Sequence, residues 1–382
     1  MKIKMLFIAL PLLCIGCLDH VTVISPYSSN EPIYFNNGNN YFNPPIVKIS
    51  SVNQYDDVRW KDLSEISSQL DSQLISTLWY NQKTVWPGNF LSIANTILNK
   101  ETNPGLGVRS LHEKEITGKN VKVAIIDQNL CQGLDHAEYA GKIVAYHDVG
   151  CNQSATSGSM HAPAVTSLLV GTTIGTSPEA KVYFAAAPSW TADAQYQANA
   201  LNWIIDENAK LPENDKIRVV SISAAPSGPG SPFTKNQSSW DAAYSRATAA
   251  DILVLDCTTN HGITAPCYYD LENPDDITLV TPGYPDESYS VDTSRLCIPN
   301  SRRSQAEEYN QGETGYQYTG QGGLSWTIPY LAGVLAMGWQ MRPELSSSIM
   351  KTLLFKSAHI KNNNNKIINP IAFIDSVTSY GK

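Results

Sequence analysis

The hydrophobic pattern divides the chain into two unlike parts. From about residue 105 onward, short apolar runs alternate with longer stretches of helical spacing. Strands are predicted at 121–127, 143–146, 182–186, 219–222, 252–255 and 277–280. Helices are predicted at 162–170, 192–208, 239–249 and 327–340. Short apolar strands alternating with helices imply a mostly parallel sheet covered on both faces. Before residue 100 the pattern is sparser. Apolar residues at 63, 66, 70 and 74 follow helical intervals. Trp60, Trp79, Tyr80 and Trp86 surround them, so this helix is expected to pack on the main domain. Residues 18–55 are rich in Asn, Ser, Pro and Tyr and read as a linker.

Residues 1–17 carry a different signal. Lys2 and Lys4 precede twelve uninterrupted apolar or small residues, Met5 to Gly16, too few to span a bilayer. This is the pattern of an export signal. The ending Leu13-Cys14-Ile15-Gly16-Cys17 resembles a bacterial lipobox, which implies lipidation of Cys17 and a membrane anchor. The expected division is a signal peptide at 1–16, a tether and extension at 17–103, and the main α/β domain at 104–382. Export permits disulfides, and Cys131–Cys151 and Cys257–Cys267 are the pairs suggested by closeness in sequence.

Composition narrows the function classes. Apolar residues make up 42% of the 382 and charged residues 16%, so a substantial core is available. The net charge of −8 argues against a nucleic-acid partner bound by phosphate neutralisation. Neither Cys-x-x-Cys nor a Cys/His cluster of zinc spacing occurs.

Three positions carry candidate chemistry. Asp127 ends the apolar run 121–126, and ligands of open parallel sheets gather at the carboxyl ends of strands. His161 opens a small apolar segment after the loop Ser157-Gly158-Ser159-Met160. Ser325 follows Gly322-Gly323-Leu324 and precedes an apolar helix, whose N-terminus favours a developing oxyanion. Singly, each also reads as a capping residue.

In order, they resemble a family. Gly323, Ser325, Pro329, Ala332 and Gly333 match in register the motif Gly-Thr-Ser-Met-Ala-Thr-Pro-His-Val-Ala-Gly of subtilisin-like serine proteases, the subtilases. Asp127 after Val123-Ala124-Ile125-Ile126 resembles the family's aspartate strand. His161 with Val165 resembles its histidine helix, and the order Asp, His, Ser is the family's. Val254 to Gly262 resembles the segment whose Asn donates to the oxyanion, here Asn260. Ser223, Ala224 and Ala225 resemble the strand that binds substrate.

The resemblance implies a three-layer α/β/α subtilisin-like fold and a serine endopeptidase acting on a protein or peptide. No cofactor is required. Structural calcium is common in the family, and Asp275-Asp276 is the nearest candidate. Departures occur at Gln128, Ala162-Pro163-Ala164, Leu324, Trp326 and Thr259. They leave room for an alternative, a catalytically silent fold used as a surface binding module. A sedolisin-like peptidase, with Glu and Asp in the triad, is opposed by His161 and Asn260.

Overall fold

The computed structural model describes residues 44–131, 133–151, 159–286 and 289–382, together with a short antiparallel pairing of Phe35–Asn36 with Asn40–Tyr41. Cys17 and the signal segment lie outside the described residues.

Residues 44–100 build a small core of their own. Val58, Leu63, Ile66, Ile75, Leu78 and Leu98 pack there with Tyr80, Trp86 and Tyr318. The helix expected across 63–75 is broken. A 3₁₀ turn at Ser67–Gln69 and one α turn at Ser72–Ile75 are separated by extended Leu70 (φ −98°, ψ 138°). The apolar face survives, but Ser and Asp side chains compete for the backbone. Asp71 restarts the helix by accepting from Leu74 N at 2.7 Å. The segment continues into strand β1 (Trp79–Asn81) and helix α1 (Phe90–Lys100).

Five parallel strands form the central sheet: β2 (Lys122–Asp127), β3 (Ile143–Asp148), β4 (Lys181–Ala186), β5 (Ile217–Ile222) and β6 (Leu253–Leu255), in the spatial order β6-β5-β2-β4-β3. Side chains alternate across the pleat. On β2, Val123 and Ile125 face one core, while Ala124 and Ile126 face the other. The first core holds the helices His161–Val170 and Thr327–Met341, and the second holds Gln195–Lys210 and Gln237–Ala249. This is a three-layer α/β/α arrangement with β2 at its centre. All ten residues of His161–Val170 are buried, which explains their small, apolar character.

Beyond the central sheet lie elements the pattern did not predict. Thr264–Tyr268 and Leu296–Pro299 pair in parallel in a second sheet. Arg303–Asn310 and Glu313–Thr319 form an antiparallel hairpin, with β1 added antiparallel to its second strand. The first hairpin strand is mostly polar yet almost entirely buried, so hydrophobic period alone does not reveal it. Conversely, the strand expected at 277–280 is a 3₁₀ turn, Ile277–Leu279. Asp276 Oδ1 accepts from Thr278 N at 2.9 Å and from its hydroxyl at 2.6 Å, and Leu279 is exposed.

Neither expected disulfide forms. Cys131, Cys151, Cys267 and Cys297 are buried and form no disulfide. Cys267 and Cys297 lie on adjacent parallel strands that sequence closeness does not relate.

Candidate active site

Asp127 closes β2 at the carboxyl edge of the central sheet, and it is 8% exposed. Its Oδ1 accepts from Gln128 N at 2.8 Å, which fixes the carboxylate. The Gln128 side chain turns away, donating from Nε2 to Ser189 Oγ at 2.7 Å.

His161 is the first residue of its helix. Ser159 Oγ accepts from Ala162 N at 3.0 Å and so serves the helix start. Pro163 is tolerated because first-turn N–H groups lack intrahelical partners. The imidazole is buried. Its Nδ1 lies 2.8 Å from Asp127 Oδ1 and 2.9 Å from Oδ2. An imidazole so held presents Nε2 away from the carboxylate.

Ser325 occupies a 3₁₀ turn, Leu324–Trp326, that feeds directly into Thr327–Met341. Trp326 brings this turn to the histidine. Its ring stacks on His161, with centroids 5.1 Å apart and planes at 27°. The turn is held from below. Asn300 Nδ2 donates to Gly322 O at 2.7 Å, and Ser301 Oγ accepts from Gly322 N at 3.2 Å. A Cβ on Gly322 would lie 1.8 Å from Asn300 O and 2.1 Å from Trp326 Cδ1, so only glycine fits. Ser223 Oγ donates to Ser325 O at 2.8 Å.

Asn260 lies on the segment leaving β6. Cys257 N donates to Ala224 O at 2.9 Å, so this segment runs beside 223–225. Asn260 is exposed, and its amide lies against Gly228, where an added Cβ would stand 2.9 Å from Nδ2. Gly228 has φ +85°, a second reason for glycine there. The loop is braced on two sides. Buried Asp256 accepts from Thr258 N (3.1 Å), Thr258 Oγ1 (2.8 Å) and Trp240 Nε1 (3.2 Å). His261 Nδ1 is 3.4 Å from the same carboxylate, and this bond raises the imidazole pKa above its ordinary value. Opposite, Arg295 Nη2 donates to Thr259 O at 3.2 Å.

The structure therefore brings Asp127, His161 and the Ser325 turn together on three neighbouring elements. It sets Asn260 one segment further on, beyond Ser223. The family model described as the subtilase family, Peptidase S8, matches residues 118–371. The chain belongs to the subtilase family.

The subtilase is 25% identical over 239 residues to subtilisin-like protease 2 of Trichophyton rubrum, covering 57% of this chain and 53% of that protein. It is 24% identical to the Arthroderma benhamiae protein of the same name, covering 57% and 54%. It thus spans about half the length of the curated relatives it matches. Two solved structures share the fold. The prenylagaramide maturation protease PagA superposes with TM-score 0.52 at 15% identity, over 71% of this chain and 98% of PagA. Fervidolysin from Fervidobacterium pennivorans, a keratinolytic enzyme related to subtilisin, gives 0.51 at 14% identity, over 74% and 46%.

Several supporting residues of this subtilase escaped the pattern reading. Asn300 and Ser301 follow a short apolar run at the carboxyl end of a parallel strand, the same signal that marks Asp127. Asp256 and His261 lie within Val254 to Gly262 at positions where it departs from the family segment, and Arg295 lies outside every motif. Asp275 and Asp276 both serve the backbone: Asp275 Oδ1 accepts from Gly107 N at 2.8 Å, and Asp276 holds Thr278. Among the described residues, no group of three or more His, Cys, Asp or Glu side chains could hold a metal ion.

Proposed function

We propose that this subtilase is a serine endopeptidase with Asp127, His161 and Ser325 as its triad. The bond from His161 Nδ1 to the Asp127 carboxylate, with the imidazole stacked beside the Ser325 turn, carries the reading. His161 accepts the Ser325 proton through Nε2 as the hydroxyl attacks a peptide carbonyl. Asp127 holds the tautomer and stabilises the imidazolium. Asn260 and the Ser325 backbone N–H take the oxyanion at the helix N-terminus. His161 then protonates the leaving amine, and water hydrolyses the acyl-enzyme.

The substrate would lie extended along 223–225. Ala224 and Ala225 leave room for a P1 side chain, while Ser223 spends its hydroxyl on Ser325 O. No cofactor enters this chemistry. Residues 1–17 support export and a lipid anchor at Cys17, placing the enzyme in the cell envelope.

Labelling of the purified protein by a fluorophosphonate, beside Ser325→Ala and His161→Ala, tests the triad. Labelling lost in both variants is the expected result. A folded wild-type protein that stays unlabelled would overturn the reading. Metabolic labelling with a radioactive fatty acid, beside Cys17→Ser, tests the anchor.

A further inference from the structure

Residues 44–101 touch both halves of the proposed catalytic apparatus. Trp60 is buried and clusters with Met160 and Tyr309, meeting Tyr309 edge-on at 5.9 Å. Met160 immediately precedes His161. On the other flank, Gly320 N donates to Leu78 O at 3.0 Å. A Cβ on Gly320 would lie only 2.1 Å from Thr77 O, so the extension is pressed against the strand end that leads to Ser325.

The seam between these points is not a solvated contact. Strand β1 extends the hairpin, pairing Trp79, Tyr80 and Asn81 with Thr319, Tyr318 and Gln317. Arg59 is 2% exposed. It is ion-paired to Asp57 at 2.7 Å, lies 3.8 Å from buried Glu307, and donates to Gln317 at 3.2 Å. Asn81 Nδ2 donates to Glu307 at 2.9 Å. Departure of the extension would strip Glu307 of these partners and bare a strand edge. Both outcomes are costly, because buried charges need partners and open edges invite aggregation.

We propose that residues 44–101 are a permanent positioning element of the enzyme and not a removable inhibitor. Trp60, through Met160, sets the start of the His161 helix. Thr77 and Leu78, through Gly320, set the Ser325 turn. The proposal rests on the triad reading above.

The test places a site for a sequence-specific protease between Thr102 and Asn103 in the full chain. After cleavage, the two fragments are expected to co-elute and to label with fluorophosphonate within about twofold of the intact protein, since the geometry is unchanged. Dissociation of the extension with labelling retained or increased would overturn the proposal and leave the protease reading intact. No labelling in either form would count against the protease reading instead, while co-elution would still test the seam. A second arm uses Trp60→Ala and Trp60→Phe, each checked for folding by thermal melting. A misplaced base costs turnover more than binding. Folded Trp60→Ala is therefore expected to lose about tenfold or more in kcat, with KM little changed and Trp60→Phe recovering most of the loss. Equal kcat in folded Trp60→Ala would overturn the role of Trp60.

Discussion

The indole of Trp326 covers the imidazole of His161, with ring centroids 5.1 Å apart. Trp326 thus links the serine turn to the histidine helix through one aromatic contact. Such pairs contribute about 0.5–1.5 kcal/mol beyond their area. Trp326→Ala is expected to lower kcat by up to about tenfold, the kinetic equivalent of that energy. It should also destabilise the fold by about 3–5 kcal/mol, as truncation of a buried tryptophan does. Trp326→Phe should recover most of both. Steady-state kinetics beside chemical denaturation separates the two effects.

The carboxylate of Asp127 acts in the proposed mechanism only through His161, holding the imidazole tautomer at Nδ1 and stabilising the imidazolium. Asp127→Asn keeps the shape but supplies an amide that favours the wrong tautomer. The expected loss is about 10⁴-fold in kcat with the fold intact. Asn260→Ala should cost less, about 10²–10³-fold, the range known for one oxyanion donor in subtilisin. A loss in Asn260→Ala under tenfold would leave the oxyanion to backbone donors alone.

Four buried cysteines carry no disulfide: Cys131, Cys151, Cys267 and Cys297. Burial raises the pKa of Cys151 and Cys267, and pushes that of Cys297 up to about 12. The thiolate is the reactive form, so all four should resist alkylation in the native protein. Brief iodoacetamide treatment followed by peptide mapping should find them unlabelled, and denaturant should make all four reactive. Rapid labelling of any one in folded protein would contradict its burial here.

Legibility in the sequence followed the physics of each element. The strands of the central sheet are short apolar runs covered on both faces, and Val121 to Asp127 reads as one directly. The helices at His161 and Thr327 are apolar because nearly every residue in them is buried. The hairpin at 303–319 was illegible because its interior is polar. Glu308, for example, is fully buried, yet its carboxylate accepts from Cys131 N at 2.7 Å and from the Tyr139 hydroxyl. A strand satisfied by distant partners has no local signature. The same holds at the site. Asp127, His161 and Ser325 sit in motifs, whereas Trp60 and Arg295 act across long sequence separations.

His261 ties the Asn260 loop to a titration. Its imidazole faces Asp256 at 3.4 Å and Asp241 at 3.9 Å, and it stacks on Tyr244, with Arg295 across the loop. The bond to Asp256 raises its pKa above the ordinary 6.5. The folded state therefore binds this proton more tightly than the unfolded state. The stabilisation is fully present below the unfolded pKa and is lost as pH rises through the folded one. Hydrogen-exchange protection factors across 258–262, with the intrinsic pH dependence of exchange divided out, should be larger at acidic than at alkaline pH. His261→Gln should flatten that dependence. An equal pH dependence in the variant would place the titrating group elsewhere.

Glu101 gives the extension a pH dependence of the same sign from the opposite kind of group. It ends α1 and is 2% exposed, and burial raises its pKa to about 8 despite nearby Lys100 and Arg303. Its backbone carbonyl accepts from Ser304 N at 3.0 Å, so it sits in the joint between extension and hairpin. Between the unfolded value near 4.5 and about 8, the folded protein holds a proton that the unfolded chain has lost. Stability should therefore fall as pH rises through that window, by at most about 1.4 kcal/mol per unit. Above it, the charged carboxylate remains in the joint and the loss persists. Glu101→Gln removes the titration while keeping the shape. Denaturation midpoints at about pH 5 and about pH 9 should differ less in the variant than in the wild type, with the variant the more stable at the higher pH. If the two proteins lose stability in parallel, the acid in the joint is already ionised when folded.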